Sequence, residues 1–133
     1  MDKDGKDDVV FYRPNEARFF AATTRSNFAN YFTYNVGQSG DIPVGSCDLD
    51  RDGWDDLVVW SPGTGNWVSL NSSANLASGA TKQWGQRGDI PMIGTDFDLD
   101  GKRDITVWRP SEARWYILQS GANFTTWLWW GWG

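Results

Sequence analysis

An acidic tetrapeptide occurs three times in the chain at a constant interval. It reads Asp-Lys-Asp-Gly at Asp2–Gly5, Asp-Arg-Asp-Gly at Asp50–Gly53 and Asp-Leu-Asp-Gly at Asp98–Gly101. The interval is 48 residues in both cases, from 2 to 50 and from 50 to 98. A fixed period of this length predicts a repeat architecture, in which each unit is one supersecondary structure that packs on its neighbours.

Other landmarks keep the same interval. The sequence Gly-Asp-Ile-Pro occurs at Gly40–Pro43 and again at Gly88–Pro91. Near the C-terminus two registers remain open. Trp132 matches Trp84 at the strict period, whereas Trp130 would match it if two residues had been deleted. Aromatic residues form two further series, Tyr12, Trp60 and Trp108 in one and Phe19, Trp67 and Trp115 in the other.

Short apolar stretches separated by turn residues predict β-strands. In the second unit, Leu57–Trp60 is a continuous apolar run, which is typical of a strand buried on both faces. Further strands are expected at Ile42–Ser46, Asn66–Leu70 and Thr81–Trp84, and no stretch keeps a helical period. Four short antiparallel strands in a unit of this length indicate one blade of a β-propeller.

The predicted fold class is all-β: a single β-propeller fragment over residues 1–133 with three four-stranded antiparallel blades. The blades are expected at about 1–37, 38–85 and 86–133, and the first lacks its inner strand because the chain begins inside the first acidic loop. Propellers close with about 4–8 blades, so a longer natural protein is expected. Three blades leave apolar faces open, which predicts self-association into a homo-oligomer through the open blade ends.

The residues also resemble a known family. Asp48–Trp60 and Asp96–Pro110 are similar to the FG-GAP/VCBS-type repeat, and the linker Trp84–Pro91 fits it as well. Such repeats build calcium-binding propellers of the integrin α type and of many secreted bacterial proteins. The resemblance implies an extracellular or secreted propeller, stabilised by Ca²⁺, that acts as a binding or adhesion scaffold. It does not name the ligand, for which a protein and a glycan are both candidates.

The acidic loops are the candidate metal sites. Closely spaced carboxylates repel one another unless a cation offsets the repulsion, and alternating hard oxygen ligands suit Ca²⁺. An EF-hand is excluded, because Val59 and Val107 stand where its bidentate Glu would be. The ligands predicted from the D-x-D-x-D-G-x-x-D pattern are Asp48, Asp50, Asp52, Asp56 and the carbonyl of Trp54 in the second loop. In the third loop they are Asp96, Asp98, Asp100, Asp104 and the carbonyl of Lys102, and a weaker first site has Asp2, Asp4 and Asp8.

Composition argues against several function classes. The net charge of −5 disfavours nucleic acid as a partner, and no apolar run approaches the ~18 residues of a membrane span. The chain has no histidine, so serine-type triads and histidine metal sites are absent. An enzyme is therefore not expected. The single cysteine, Cys47, aligns with Thr95 and indicates a small strand residue.

Tryptophans that the repeat does not require are candidate ligand-binding residues. Trp54 has Lys6 and Lys102 as counterparts, and Trp127, Trp129 and Trp130 form a dense cluster near the C-terminus. Tryptophan rings can stack on sugars, so a lectin-like propeller is the main alternative function, and an accessory domain of a secreted enzyme is another. The recurring Trp60, Trp67, Trp108 and Trp115 are expected in the core between blades. Arg87-Gly88-Asp89 is an integrin-ligand tripeptide, although its Gly-Asp pair belongs to the repeat.

Overall fold

The residues that the structure describes fold into three antiparallel β-sheets. A computed structural model describes residues 3–45, 48–92 and 96–132. In these ranges the helical segments are two short 3₁₀ helices, Thr24–Ser26 and Ser72–Ala74, and no helix is long and apolar enough to cross a membrane. Sheet 1 consists of β1 (Val9–Arg13), β2 (Arg18–Ala22) and β3 (Tyr31–Asn35). Sheet 2 consists of β4 (Ile42–Pro43), β5 (Leu57–Ser61), β6 (Asn66–Leu70) and β7 (Thr81–Gln83), and sheet 3 of β8 (Ile90–Met92), β9 (Ile105–Arg109), β10 (Arg114–Leu118) and β11 (Trp127–Gly131).

Each sheet is a meander in which neighbours in sequence are neighbours in space. The prediction of three antiparallel sheets is confirmed, including the three strands of the first sheet within the described residues. β6 has the predicted bounds. β4 is shorter than the predicted strand, although the Val44 N–H still donates to the Val58 carbonyl at 2.9 Å, while Ser46 lies outside the described residues.

The strand register keeps the 48-residue period through to the end of β11. The middle strands β2, β6 and β10 pair with β3, β7 and β11, and the second residue of each middle strand pairs with a residue at the same repeat position. The facing residues are Phe19 and Tyr34 in sheet 1, Trp67 and Lys82 in sheet 2, and Trp115 and Trp130 in sheet 3. Residues 48 or 96 apart are therefore equivalent, and the strict register makes Trp132 the counterpart of Trp84.

β5 lies at the centre of the molecule, and all five of its residues are buried. Successive side chains of a strand point to opposite faces. Leu57 and Val59 accordingly pack on sheet 1, whereas Val58 and Trp60 pack on sheet 3. Sheet 2 is thus the middle layer of the three, and the prediction of a strand buried on both faces is confirmed.

Tryptophans fill the interface between sheets 2 and 3. Trp60 and Trp67 are buried, and both indole N–H groups donate to the Trp84 carbonyl, at 3.3 and 3.0 Å. Their expected core position is confirmed. The equivalent Trp108 and Trp115 are only half-buried, because they lie on the face of sheet 3 that points away from sheet 2.

A cavity of about 960 Å³ lies between sheets 1 and 2. Between sheets 2 and 3, Val44, which follows β4, is part of the core. Among the described residues sheet 1 has no strand beside β1 that could supply an equivalent side chain. The cavity is lined instead by residues such as Tyr12, Tyr34, Trp54 and Leu76.

Candidate metal centres

The second and third acidic loops, residues 48–56 and 96–104, have the same backbone course. Gly53 and Gly101 adopt φ of +90° and +84°, a conformation that glycine reaches without steric cost. In the second loop the Asp52 N–H donates to Oδ1 of both Asp48 and Asp50, each at 3.1 Å. The loop is therefore closed by its own backbone donors, which turn the carboxylates toward its centre.

Three carboxylates of each loop converge. In the second loop Asp48, Asp50 and Asp56 each place an oxygen within 4.8 Å of the others, and in the third loop the equivalent residues do the same. These two groups could hold a metal ion, and all their donors are hard anionic oxygens. The structure thus brings together positions 1, 3 and 9 of the predicted ligand sets. The third-loop members are Asp96, Asp98 and Asp104.

The aspartates at position 5 do not join these groups. The Asp52 carboxylate accepts the Ser72 hydroxyl at 2.8 and 2.7 Å, a bond that lowers the pKa of Asp52. Asp100 accepts the Ser120 hydroxyl at 3.2 Å in the same way. Ligation by Asp52 and Asp100 remains a prediction, as does ligation by the carbonyl of Trp54 and its equivalent in the third loop, Lys102.

The aspartates at position 9 are buried and heavily hydrogen bonded. Asp104 accepts the Ser120 N–H at Oδ1 and the Phe97 N–H at Oδ2, both at 2.8 Å. Asp56 accepts the Ser72 N–H at 2.8 Å, and burial is the main cause of its raised pKa. These two carboxylates tie the start of each loop to the turn that follows the middle strand, in addition to facing the candidate ion.

The first acidic loop repeats the same anchoring. Asp8 accepts the Thr24 N–H at 3.0 Å, and Asp4 accepts the Thr24 hydroxyl at 3.1 Å. Asp2, the third predicted ligand of the weaker site, lies outside the described residues. Asp4 stands at position 5 of this loop and Asp8 at position 9, and ligation of an ion by either residue remains a prediction.

Sequence reasoning missed the hydroxyl residue that serves both anchors. In each unit one residue donates its side-chain O–H to the position-5 aspartate and its backbone N–H to the position-9 aspartate. The signal was present in the repeat, since a hydroxyl recurs at intervals of 48. These residues are Thr24, Ser72 and Ser120.

The candidate ligand-binding tryptophans lie on different parts of the molecule. Trp54 is exposed at the cavity between sheets 1 and 2, where Lys3 Nζ lies 5.5 Å from its ring centre. On β11 the side chains alternate between the two faces of sheet 3. Trp127 points toward sheet 2, with its ring 5.9 Å from that of Trp84, whereas Trp130 faces away. Trp129 shares the face of Trp127.

The aspartate of the Arg-Gly-Asp tripeptide is not presented to solvent. Asp89 is buried and forms a two-pronged ion pair with Arg109, at 2.8 and 2.9 Å. The pair raises the pKa of Arg109. Asp89 also accepts the Gln86 N–H, as the equivalent Asp41 accepts that of Gln38. Asp89 therefore anchors the turn before β8.

Comparison with known proteins yields no match: no protein-family model fits the sequence, and no similar curated protein or solved structure was found. The functional assignment consequently depends on the residues and geometry described above.

Proposed function

We propose that the chain is a calcium-binding β-propeller module that acts outside the cell as a non-catalytic binding or adhesion scaffold. The observation that carries the proposal is the recurrence of one donor geometry. Two groups of three carboxylates lie 48 residues apart in loops of the same shape, and in each group one oxygen of every carboxylate lies within 4.8 Å of the other two. A solvated acidic turn has no need to keep the same three carboxylates converging in two separate units.

Calcium suits these groups better than magnesium. Ca²⁺ takes 6–8 oxygen ligands in flexible geometry, whereas Mg²⁺ requires near-octahedral ligands and keeps several waters. Three convergent carboxylates supply a high density of negative charge, and Asp52 with the Trp54 carbonyl would complete the second site as the D-x-D-x-D-G-x-x-D pattern predicts. The third site would be completed by the equivalent residues.

The packing of the sheets supports the propeller assignment. Sheet 2 buries both faces between its neighbours. The face with Trp60 and Trp67 meets sheet 3, and the opposite face, with Leu57 and Val59, meets sheet 1. Propeller blades stack in this manner, with middle strands apolar on both sides. Each candidate site lies in the loop that leads into β5 or β9, so a bound ion would brace the start of that strand.

Calorimetric titration with CaCl₂ tests the proposal. The expected result is two sites of similar affinity, because the second and third loops share one geometry. Asp50→Asn and Asp98→Asn should each remove one site. Asp55→Asn is the matched control, since Asp55 lies in the same loop as Asp50 but outside the convergent group. Equal loss in the control, or no heat with the parent chain, would contradict the proposal.

A glycan-binding function is the second candidate, and the cavity between sheets 1 and 2 favours it. The cavity combines the rings of Trp54 and Tyr12 with polar groups such as Asn75. Trp54→Lys should abolish binding on a glycan array without unfolding the protein, because lysine stands at the equivalent positions Lys6 and Lys102. Unchanged glycan binding in this variant would remove Trp54 from the site.

A further inference from the structure

The interface between sheets 2 and 3 is formed by one face of each sheet. The residues equivalent to the sheet 2 face lie on the outer face of sheet 3, and those equivalent to the sheet 3 face lie on the outer face of sheet 1. Trp108, Trp115 and Trp130 lie side by side on the outer face of sheet 3, because they are direct cross-strand neighbours. They correspond to Trp60, Trp67 and Lys82 of sheet 2. With Ile90 and Trp132 they form a surface that we call the tryptophan face.

The outer face of sheet 1 corresponds to the face of sheet 3 that receives sheet 2. Phe11 and Phe20 stack at 4.9 Å on this face, and Tyr31 lies 6.1 Å from Phe20. Their counterparts in sheet 3 are Val107, Tyr116 and Trp127. We call the surface formed by Val9, Phe11, Phe20, Phe28 and Tyr31 the receiving face.

Exposure shows that the receiving face lacks its cover. Phe11 is 50% exposed and Phe28 is 49% exposed. Their counterparts are fully covered: Val107 is 0% exposed and Phe124 is 9% exposed. Contiguous exposed apolar surface of this kind marks an interaction site.

The interface between sheets 2 and 3 also shows which contacts such a cover would make. Trp84 packs on Trp127, and its indole N–H donates to the Tyr116 carbonyl at 3.1 Å. The counterpart of Trp84 is Trp132, which is 75% exposed on the tryptophan face. The surfaces it would meet, Tyr31 and the Phe20 carbonyl, stand at the equivalent positions of the receiving face.

One contact of this interface is not repeated in the sequence. Arg51 bridges sheets 2 and 3 by donating to the Ser120 carbonyl at 3.3 Å and to Asn123 Oδ1 at 3.0 Å. Its counterpart on the third loop is Leu99, which is 87% exposed and cannot donate. The acceptor side is conserved within the chain, since Asn27 is equivalent to Asn123.

We propose that the tryptophan face of one copy of this chain packs head to tail on the receiving face of a second copy, as sheet 2 packs on sheet 3. A second copy is the occupant because both halves of the interface occur on one chain, in the register that already joins its own sheets. The contact is heterologous, so each copy keeps one face for the next. None of the residues named for this contact is a candidate calcium ligand.

Sedimentation velocity of the parent chain and point variants tests the contact. The parent should sediment above its chain mass of 15.0 kDa at micromolar concentration. Trp130→Asp and Tyr31→Asp should each weaken association about 100-fold, because each buries an unpaired charge in the interface. Trp129→Asp is the matched control, since Trp129 is adjacent in sequence but points to the opposite face of sheet 3.

A mixture of the two disrupted variants tests the head-to-tail arrangement and, in the same experiment, whether both variants are folded. The Trp130→Asp chain keeps an intact receiving face, and the Tyr31→Asp chain keeps an intact tryptophan face. A mixture should therefore form a one-to-one dimer that grows no further. In the parent background Leu99→Arg should tighten association about tenfold, because it restores the donor that Arg51 supplies, now to Asn27 of the next copy.

Several results would overturn the proposal. A parent chain that stays monomeric at micromolar concentration would do so, as would equal weakening by Trp129→Asp. Loss of association with Trp130→Asp but not with Tyr31→Asp would show that two tryptophan faces pair with each other. A mixture of the two variants that stays monomeric would also contradict the head-to-tail contact.

Discussion

Replacing Asp104 by Asn separates the structural role of a position-9 aspartate from its role toward an ion. The Asp104 carboxylate is buried, and each of its oxygens accepts one backbone N–H at 2.8 Å. Asparagine keeps one acceptor oxygen and turns an NH₂ group toward the other donor. One N–H, that of Ser120 or Phe97, is therefore left without an acceptor.

The cost follows from that lost partner. Leaving a buried donor unsatisfied costs roughly 1–3 kcal/mol, so Asp104→Asn should lower the free energy of unfolding by about 2 kcal/mol without any ion present. For a domain of this size the melting temperature should fall by about 6–8 °C. The same substitution also removes a ligand from the third site, so a further loss is expected when calcium is added.

Asp98→Asn provides the contrast. Asp98 accepts hydrogen bonds from the N–H groups of Asp100 and Gly121. Both are exposed, so water can replace a lost acceptor. In EDTA this variant should stay within about 0.5 kcal/mol of the parent. With free calcium at 100 times Kd, a filled site adds about 2.7 kcal/mol, and Asp98→Asn should forfeit that gain.

Urea unfolding of the parent and both variants, at one protein concentration with EDTA and with calcium, measures these differences. An Asp104→Asn chain as stable as the parent in EDTA would refute the hydrogen-bond reasoning. An Asp98→Asn chain that gains as much from calcium as the parent would refute the assignment of the third site. The two outcomes are independent, because the EDTA series contains no ion.

Three further outcomes are expected. Trp67→Ala should cost about 4 kcal/mol in urea unfolding, and Trp115→Ala less than half of that, because the equivalent Trp115 is only half-buried. Arg109→Gln should cost about 3 kcal/mol by the same measurement, because it leaves its buried carboxylate partner poorly compensated. Tyr116→Phe should raise the pKa of Glu112 in an NMR titration, since the hydrogen bond from the Tyr116 hydroxyl is the main cause of the lowered pKa of Glu112. The stability that this contact adds is present above the ordinary pKa of 4.5. It is lost as the pH falls through the lower pKa that Glu112 has in the folded state.

The strands could be predicted from local pattern because burial on both faces leaves a direct trace in the sequence. Leu57–Trp60 is apolar without interruption, and the observed strand ends one residue later, at Ser61. Asn66–Leu70 was bounded by a Pro/Gly turn and a polar loop, and its observed bounds are identical. The period then carried these assignments to the other two units.

The candidate site was predicted in part. Aspartates at positions 1, 3 and 9 converge, as the spacing indicated, but Asp52 turns to Ser72, 20 residues along the chain. No pattern within the loop reveals that partner, because the bond depends on how the chain returns after β6. The ion pair of Asp89 with Arg109, also 20 residues apart, was missed for the same reason.

Exposure of the terminal tryptophans was predicted, but their division was not. A run of aromatic residues reads as one apolar cluster in sequence. On a strand the alternation of side chains sends Trp129 and Trp130 to opposite faces. One face of sheet 3 lies toward sheet 2 and the other points away from it, and this division could be assigned only from the register of β10 with β11.

Because the register is unbroken, a whole 48-residue unit can be deleted or inserted without changing how the remaining sheets pair. Every pairing in sheet 2 has an equivalent 48 residues away, so a chain from which residues 38–85 were cut would join sheet 1 directly to sheet 3. The face of Tyr12 and Phe19 would then meet Ile105 and Val107, the same kind of surface that it now meets in Leu57 and Val59. Shortening or lengthening by whole units therefore changes the length of the stack while every junction keeps its chemistry.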